Sequence, residues 1–91
     1  MTDESSAHEQ IRRAQALIDL GRHEQAVELL VTIPQTTPVL VAAVNCFLAD
    51  AFARMGKKDE AYACARRALE AEPNNATALY WLATVEPDDA A

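Results

Sequence analysis

The sequence repeats at an interval of 35 residues, and this period restricts the folds open to the chain more than any other feature. Three pairs of identical residues show the interval: Gly21 and Gly56, Ala26 and Ala61, and Pro38 and Pro73. A fixed period in this range is typical of stacked supersecondary units, each of which needs its neighbour to bury its apolar face. The sequence therefore predicts a repeat architecture.

Each repeating unit is predicted to be a pair of helices. Alanine is frequent and glycine occurs only twice, a composition that favours helices. Apolar residues recur at helical spacing, and glycine and proline separate the segments. We expect five helices, at about residues 7–20, 23–32, 38–55, 58–71 and 76–85.

Local signals refine the helix ends. Ser6 and Glu9 have the spacing of a capping box and predict that the first helix starts at Ala7. Thr37, followed by proline, and Asn75 are expected to cap the third and fifth helices. The third helix is apolar on nearly every side, which predicts a central, enclosed position.

Charge and cysteine content narrow the functional classes. The net charge of −6, from 14 acidic and 8 basic residues, opposes binding to nucleic acid or anionic lipid. Cys46 and Cys64 form no CxxC motif, so we expect two reduced, buried thiols. The polar start of the chain does not resemble a secretory signal, and the longest apolar run, 38–44, is too short to span a bilayer. These features predict a cytoplasmic protein without membrane insertion.

Nothing in the sequence favours catalysis. His8 and His23 lie 15 residues apart on different elements and are expected at the surface. The sequence contains no glycine-rich phosphate loop and no serine or cysteine nucleophile motif. We expect no cofactor and no metal site, and we interpret Asp88 and Asp89 as a charged pair in the tail.

The second unit, residues 42–75, resembles the tetratricopeptide repeat family. Its residues in family positions are Leu48, Ala49, Phe52, Gly56, Ala61, Ala65, Ala68, Leu69 and Pro73. The first unit, residues 7–40, matches at Ala14, Leu17, Gly21, Ala26, Leu30 and Pro38. Residues 76–85 correspond to the first helix of a third unit. The resemblance implies an all-α, right-handed superhelical solenoid of five antiparallel helices, with a flexible lead at 1–6 and a tail at 86–91.

The resemblance also implies a non-catalytic module that binds a partner protein or peptide on the concave face formed by the first helix of each repeat. The residues expected to bind the partner are Ile11, Gln15, Ile18, Cys46, Asp50, Arg54, Tyr80 and Trp81. Some family members grip a C-terminal carboxylate with lysine and asparagine on this face. The matching positions here include Cys46 and Asp50, which argues against such a clamp.

Three points stay open at the level of sequence. Trp81, the only tryptophan, is either a core residue or an interface anchor. The chain either binds another protein or self-associates, for example as a homodimer or as the regulatory domain of a longer protein. RNA binding of the pentatricopeptide type also suits the period. Two such repeats would recognise only about two bases, however, and the net charge of the chain is acidic.

Overall fold

The computed structural model describes residues 3–85 of the chain, and it confirms the prediction of five helices. These are α1 (Asp3–Asp19), α2 (His23–Leu30), α3 (Pro38–Arg54), α4 (Lys58–Ala71) and α5 (Ala76–Thr84). No strand occurs among these residues, so the all-α class is confirmed. The predicted tail at 86–91 lies outside the described residues.

Two predicted helix ends are wrong. Helix α1 begins at Asp3, so Ser6 lies inside the helix and the capping box does not mark its start. Two acidic residues precede Ser6 in the sequence, and acidic residues are favourable in a first helical turn. Helix α2 ends at Leu30, before Pro34, because the chain tightens into turns in which Ile33 N–H donates to the Leu30 carbonyl at 3.2 Å.

The two glycines end the first helix of each pair in the same way. Gly21 and Gly56 adopt positive φ angles of 82° and 79°, a conformation that glycine reaches without steric cost. The next amide then reaches back five residues. Arg22 N–H donates to the Leu17 carbonyl and Lys57 N–H to the Phe52 carbonyl, both at 2.8 Å. Both helices therefore end in a Schellman motif, as the glycines predict.

The predicted caps of α3 and α5 are confirmed. Thr37 Oγ1 accepts a hydrogen bond from Leu40 N–H at 3.2 Å, with Pro38 at the first helical position. Asn75 Oδ1 accepts from Ala78 N–H at 2.9 Å. These caps satisfy amides that have no partner inside the helix, and they fix where α3 and α5 start.

The 35-residue period corresponds to helix starts rather than to the prolines. Helix α3 begins 35 residues after α1 (38 − 3), and α4 begins 35 residues after α2 (58 − 23). Pro38 opens α3, whereas Pro73 lies three residues before α5. The two prolines therefore occupy different positions, and their spacing is not a structural equivalence.

The helices pack as a linear stack. Each helix contacts the next one in sequence, and in addition α1 contacts α3 and α3 contacts α5. Within the described chain α2 and α4 do not touch each other. The first helices α1, α3 and α5 thus form one continuous layer, and α3 touches all four other helices, as its apolar sequence predicts. The extents of 49 × 28 × 17 Å reflect this elongated arrangement.

Small residues allow the close approach between helices. The alanines with no exposed surface are Ala14, Ala26, Ala49, Ala51, Ala61, Ala65, Ala68 and Ala78. Larger side chains, among them Ile18, Leu30, Leu40 and Val44, fill the space between them. A second cluster joins α3, α4 and α5 through Ala42, Cys46, Ala68 and Ala78. Alternation of small and large residues is what dense packing between helices requires.

Candidate functional site

Helix α3 carries an ion pair on the layer of first helices. Arg54 Nε donates to Asp50 Oδ1 at 2.6 Å across one turn of α3. This hydrogen bond and the charge of Asp50 raise the pKa of Arg54, and Asp19 and Tyr80 act on it in the same direction. The raised pKa of Arg54 is therefore due mainly to Asp50 on the same helix.

A cavity of about 230 Å³ lies between α3 and α5 on the same layer. We call it the α3–α5 cavity, and its lining residues are Ala43, Cys46, Phe47, Asp50, Asn75, Thr77 and Trp81. The residues from α3 follow helical spacing, so they present one stripe to α5. The capping residue Asn75 fixes the start of α5 and closes one end of the cavity.

Cys46 lies at the wall of this cavity with only 6% of its surface exposed. Its Sγ donates a weak hydrogen bond to Asn75 Oδ1 at 3.7 Å, and Asn75 Nδ2 in turn donates to Glu72 Oε1 at 3.0 Å. Burial, and secondarily the charge of Glu72, raise the pKa of the Cys46 thiol to about 11. The thiol is therefore protonated near neutral pH and is a poor nucleophile.

The two aromatic residues of α5 have different environments. Tyr80 is 61% exposed, and its ring meets that of Trp81 edge to face, with centroids 5.0 Å apart. Trp81 is half-buried, packs against the main core and lines the α3–α5 cavity. Trp81 therefore contributes both to the core and to the cavity wall, and its role as an interface anchor stays a prediction.

Two of the predicted binding residues belong to the interior. Ile11 and Ile18 are 7% and 2% exposed and lie in the main core cluster. Their assignment to an open binding surface is corrected, because α1 turns its apolar stripe toward α2 and α3. Cys46 is also buried, but it borders the cavity.

The other predicted residues are accessible. Gln15, Arg54 and Tyr80 are exposed, and Asp50 and Trp81 are half-buried. The structure adds Phe47 and Asn75 to the site. The sequence assigned Phe47 only to the apolar third helix and Asn75 only to the cap of the fifth. Phe47 lies three residues before Asp50, so both fall on the same face of the helix, and this spacing could have identified Phe47.

A larger and more open depression of about 570 Å³ lies between the two hairpin turns. Its lining residues are Gly21, Arg22, His23, Glu24, Gln25, Met55 and Lys57. His23 Nδ1 is buried there and has no hydrogen-bond partner among the described residues. We place the candidate site at the smaller cavity because the larger depression contains no tyrosine or tryptophan and mixes charges of both signs.

Within residues 3–85, no helix is long and apolar enough to cross a membrane. The same part of the chain brings no three histidine, cysteine, aspartate or glutamate side chains together as a metal site. Cys46 and Cys64 are both free and buried, as predicted.

Comparison with known proteins identifies one region of the chain. Residues 47–85, which include the end of α3, all of α4 and α5 and most of the α3–α5 cavity, match the family model described as Tetratricopeptide repeat. Neither the curated proteins nor the solved structures yielded a match. The hairpin geometry agrees with this match, and together they support a tetratricopeptide repeat at residues 47–85.

Proposed function

We propose that this chain is a non-catalytic protein–protein interaction module that binds a partner peptide or helix on the layer of first helices. Tetratricopeptide repeats generally mediate interactions between proteins. The observation that carries the proposal is the α3–α5 cavity, which adjoins the exposed ring of Tyr80 through Trp81. Exposed aromatic residues beside a pocket are typical of the residues that dominate binding energy at interfaces.

The dimensions of the cavity favour a peptide over a small molecule. Sites for cofactors and drug-sized ligands usually occupy about 300–1,000 Å³. The α3–α5 cavity measures about 230 Å³ and suits one side chain of a longer ligand. The remainder of that ligand would lie along the adjoining surface of Gln15, Arg54 and Tyr80, which are exposed.

Charge supports a protein partner rather than a nucleic acid. The chain has a net charge of −6, and binding to a phosphate backbone depends on basic residues. We therefore do not propose the RNA-binding function that the period alone would allow. The two free thiols suit a reducing compartment, which is why we propose the cytoplasm as the location.

The proposal can be tested by selecting short random peptides on the full chain and measuring the affinity of the selected peptides by fluorescence anisotropy. Tyr80→Ala should weaken binding about fivefold or more, because truncating an interface aromatic commonly costs above ~1 kcal/mol. Tyr62→Ala is the matched control, since it removes the other tyrosine, which lies on α4 and does not line the cavity.

Equal affinity of the wild type and Tyr80→Ala would contradict the proposed site. A library from which no peptide is enriched on the chain would contradict peptide binding itself. Far-ultraviolet circular dichroism of both variants should match that of the wild type, because Tyr80 is mostly exposed and its removal leaves the helices intact.

A second candidate function is self-association through the end of the stack. Leu79 is 48% exposed on α5 and lines a surface depression with the half-buried Tyr62 and Leu82. Tyr62 and Leu82 also line a second depression, together with the half-buried Leu69 of α4. We call these four residues the end surface. In a longer stack the next helix would cover such a surface, and terminal units normally carry polar outer faces.

Sedimentation velocity over a range of concentrations tests this second candidate. Self-association through the end surface predicts a dimer that Leu79→Glu converts to monomer, because the charge would be buried without a partner. Leu20→Glu is the matched control, since Leu20 is 70% exposed at the end of α1. A wild-type chain that remains monomeric at the highest concentration would exclude this candidate.

A further inference from the structure

We propose that the α3–α5 cavity selects a cationic side chain, lysine or arginine, of the partner peptide. This inference rests on the proposed function and specifies its partner. It concerns the chemistry of the cavity wall, where negative charge and aromatic rings face the same space. The two kinds of group together define a site for a positive charge carried on an apolar stem.

The charge of the cavity has one sign. Asp50 is the only formally charged residue among its lining residues, and its side chain is 18% exposed. Asn75, which also lines the cavity, donates a hydrogen bond from Nδ2 to Glu72 Oε1 at 3.0 Å. A carboxylate ligand would meet repulsion from Asp50, whereas an ammonium or guanidinium group would be attracted to it.

The aromatic rings complete the site. Trp81 and Phe47 line the same cavity, and tryptophan is the best ring for holding a cation over its face. The methylene stem of lysine or arginine can pack along these rings while its charged end reaches Asp50. A shorter polar side chain would leave either the rings or the carboxylate without contact.

Arg54 shows that the Asp50 carboxylate can bind a guanidinium group. Its guanidinium binds the Asp50 carboxylate at 2.6 Å while its side chain remains 52% exposed. Exposed ion pairs of this kind contribute little stability, typically 0–1 kcal/mol. A partner cation can therefore displace Arg54 from Asp50 at low cost, so that Arg54 acts as an internal competitor.

The test uses the peptides selected on the full chain. Lysine and arginine should be enriched in them relative to the unselected library. In a selected peptide, replacing the essential lysine by glutamine should weaken binding, and replacing it by glutamate should weaken it further. Asp50→Asn should reduce the affinity for the lysine peptide about two- to fivefold, whereas Arg54→Gln should increase it about twofold.

Asp59→Asn is the matched control, because it removes the same charge in the first turn of α4, away from the cavity. The affinity of the Asp59→Asn variant for the lysine peptide should stay close to that of the wild type, apart from a small loss at low salt. Opposite effects of Asp50→Asn and Arg54→Gln cannot arise from unfolding alone, so the pair separates binding from stability.

Peptides selected without lysine or arginine would overturn this inference while leaving the proposed function intact. The inference is also overturned if Asp50→Asn binds the lysine peptide as tightly as the wild type, or if Arg54→Gln weakens the binding of that peptide. The absence of any selected peptide would instead contradict the proposed function, and the two failures are therefore distinguishable.

Discussion

Ala26 and Ala61 occupy the same position in successive hairpins. Each is fully buried, with no exposed surface. The amide of Ala26 donates to the Arg22 carbonyl at 3.1 Å, and the amide of Ala61 donates to the Lys57 carbonyl at 3.0 Å. In both cases the acceptor directly follows the glycine that ends the preceding helix. The two alanines therefore mark the point where the second helix of each pair packs against the first.

This equivalence predicts equal sensitivity to added volume. Ala26→Leu and Ala61→Leu should each lower the free energy of unfolding by about 1–3 kcal/mol, because neither site has room for a larger side chain. Ala63→Leu is the matched control on α4, where the alanine is exposed, and it should change stability by less than about 0.5 kcal/mol. Urea unfolding followed by circular dichroism measures all three, and a neutral Ala61→Leu would contradict the packing.

The two hairpin glycines give a second prediction. A β-carbon at Gly21 or Gly56 would meet no atom within 4 Å, so the cost of alanine there is conformational rather than steric. Gly21→Ala and Gly56→Ala should each destabilise the chain by about 1 kcal/mol, the penalty of a left-handed residue. Asparagine tolerates this conformation better, and Gly→Asn at either site should cost less than Gly→Ala. If thermal unfolding shows the Gly→Asn variants to be less stable than the Gly→Ala variants, this explanation is contradicted.

Features that depend on a few neighbouring residues could be predicted from the sequence. The positive φ angles follow from Gly21 and Gly56, and the caps follow from Thr37 and Asn75. Competing local signals caused the errors at helix ends. The capping pattern at Ser6 was overridden when α1 continued back to Asp3, and α2 ended in turns before Pro34 was reached.

The candidate site was harder to predict, because it depends on how each helix is rotated about its axis. Successive residues of a helix point about 100° apart, so a small error in register exchanges core and surface. This is why Ile11 and Ile18 were placed on the binding face although they are buried. Asp50 and Arg54, which helical spacing places one turn apart, do form an ion pair. The family resemblance assigned Cys46 and Trp81 to one binding face, but it could not indicate that the two residues line one cavity.

Asn45 provides a third prediction, which concerns a polar group inside the stack. It is 1% exposed, and its amide donates to Gln35 Oε1 at 3.1 Å and to the Val41 carbonyl at 2.8 Å. Its Oδ1 accepts from Arg67 Nη1 at 3.3 Å, which links α3 to α4. Asn45→Ala should lower the free energy of unfolding by about 2 kcal/mol, because it removes these bonds and leaves a void.

Gln35→Ala is the matched comparison for Asn45. Gln35 is exposed and supplies only one of the three hydrogen bonds, so its loss should cost below about 1 kcal/mol. Chemical denaturation of both variants measures the difference. If the two substitutions cost the same, the buried network does not join α3 and α4 in the way described.

The alkaline titration of Cys46 tests whether the cavity wall excludes water. Burial is the main cause of the raised pKa, about 11 against an ordinary value of 9.0, and Glu72 is the secondary cause. In a Cys64→Ala background, the rate of alkylation of Cys46 by iodoacetamide should rise with an apparent pKa near 11. Denatured chain should give a value near 9, since its thiol is hydrated.

The same titration has a consequence for stability, and its sign follows from the direction of the shift. Above about pH 9 the unfolded chain loses the Cys46 proton while the folded chain retains it, so the unfolded state binds fewer protons and stability falls until about pH 11. Cys46→Ala should reduce this loss. Glu72→Gln should lower the apparent pKa of the thiol, whereas Glu70→Gln, an exposed control on α4, should leave it unchanged. An alkylation profile of the folded chain centred near 9 would mean that water reaches the thiol freely, and the cavity wall would then be open at Cys46.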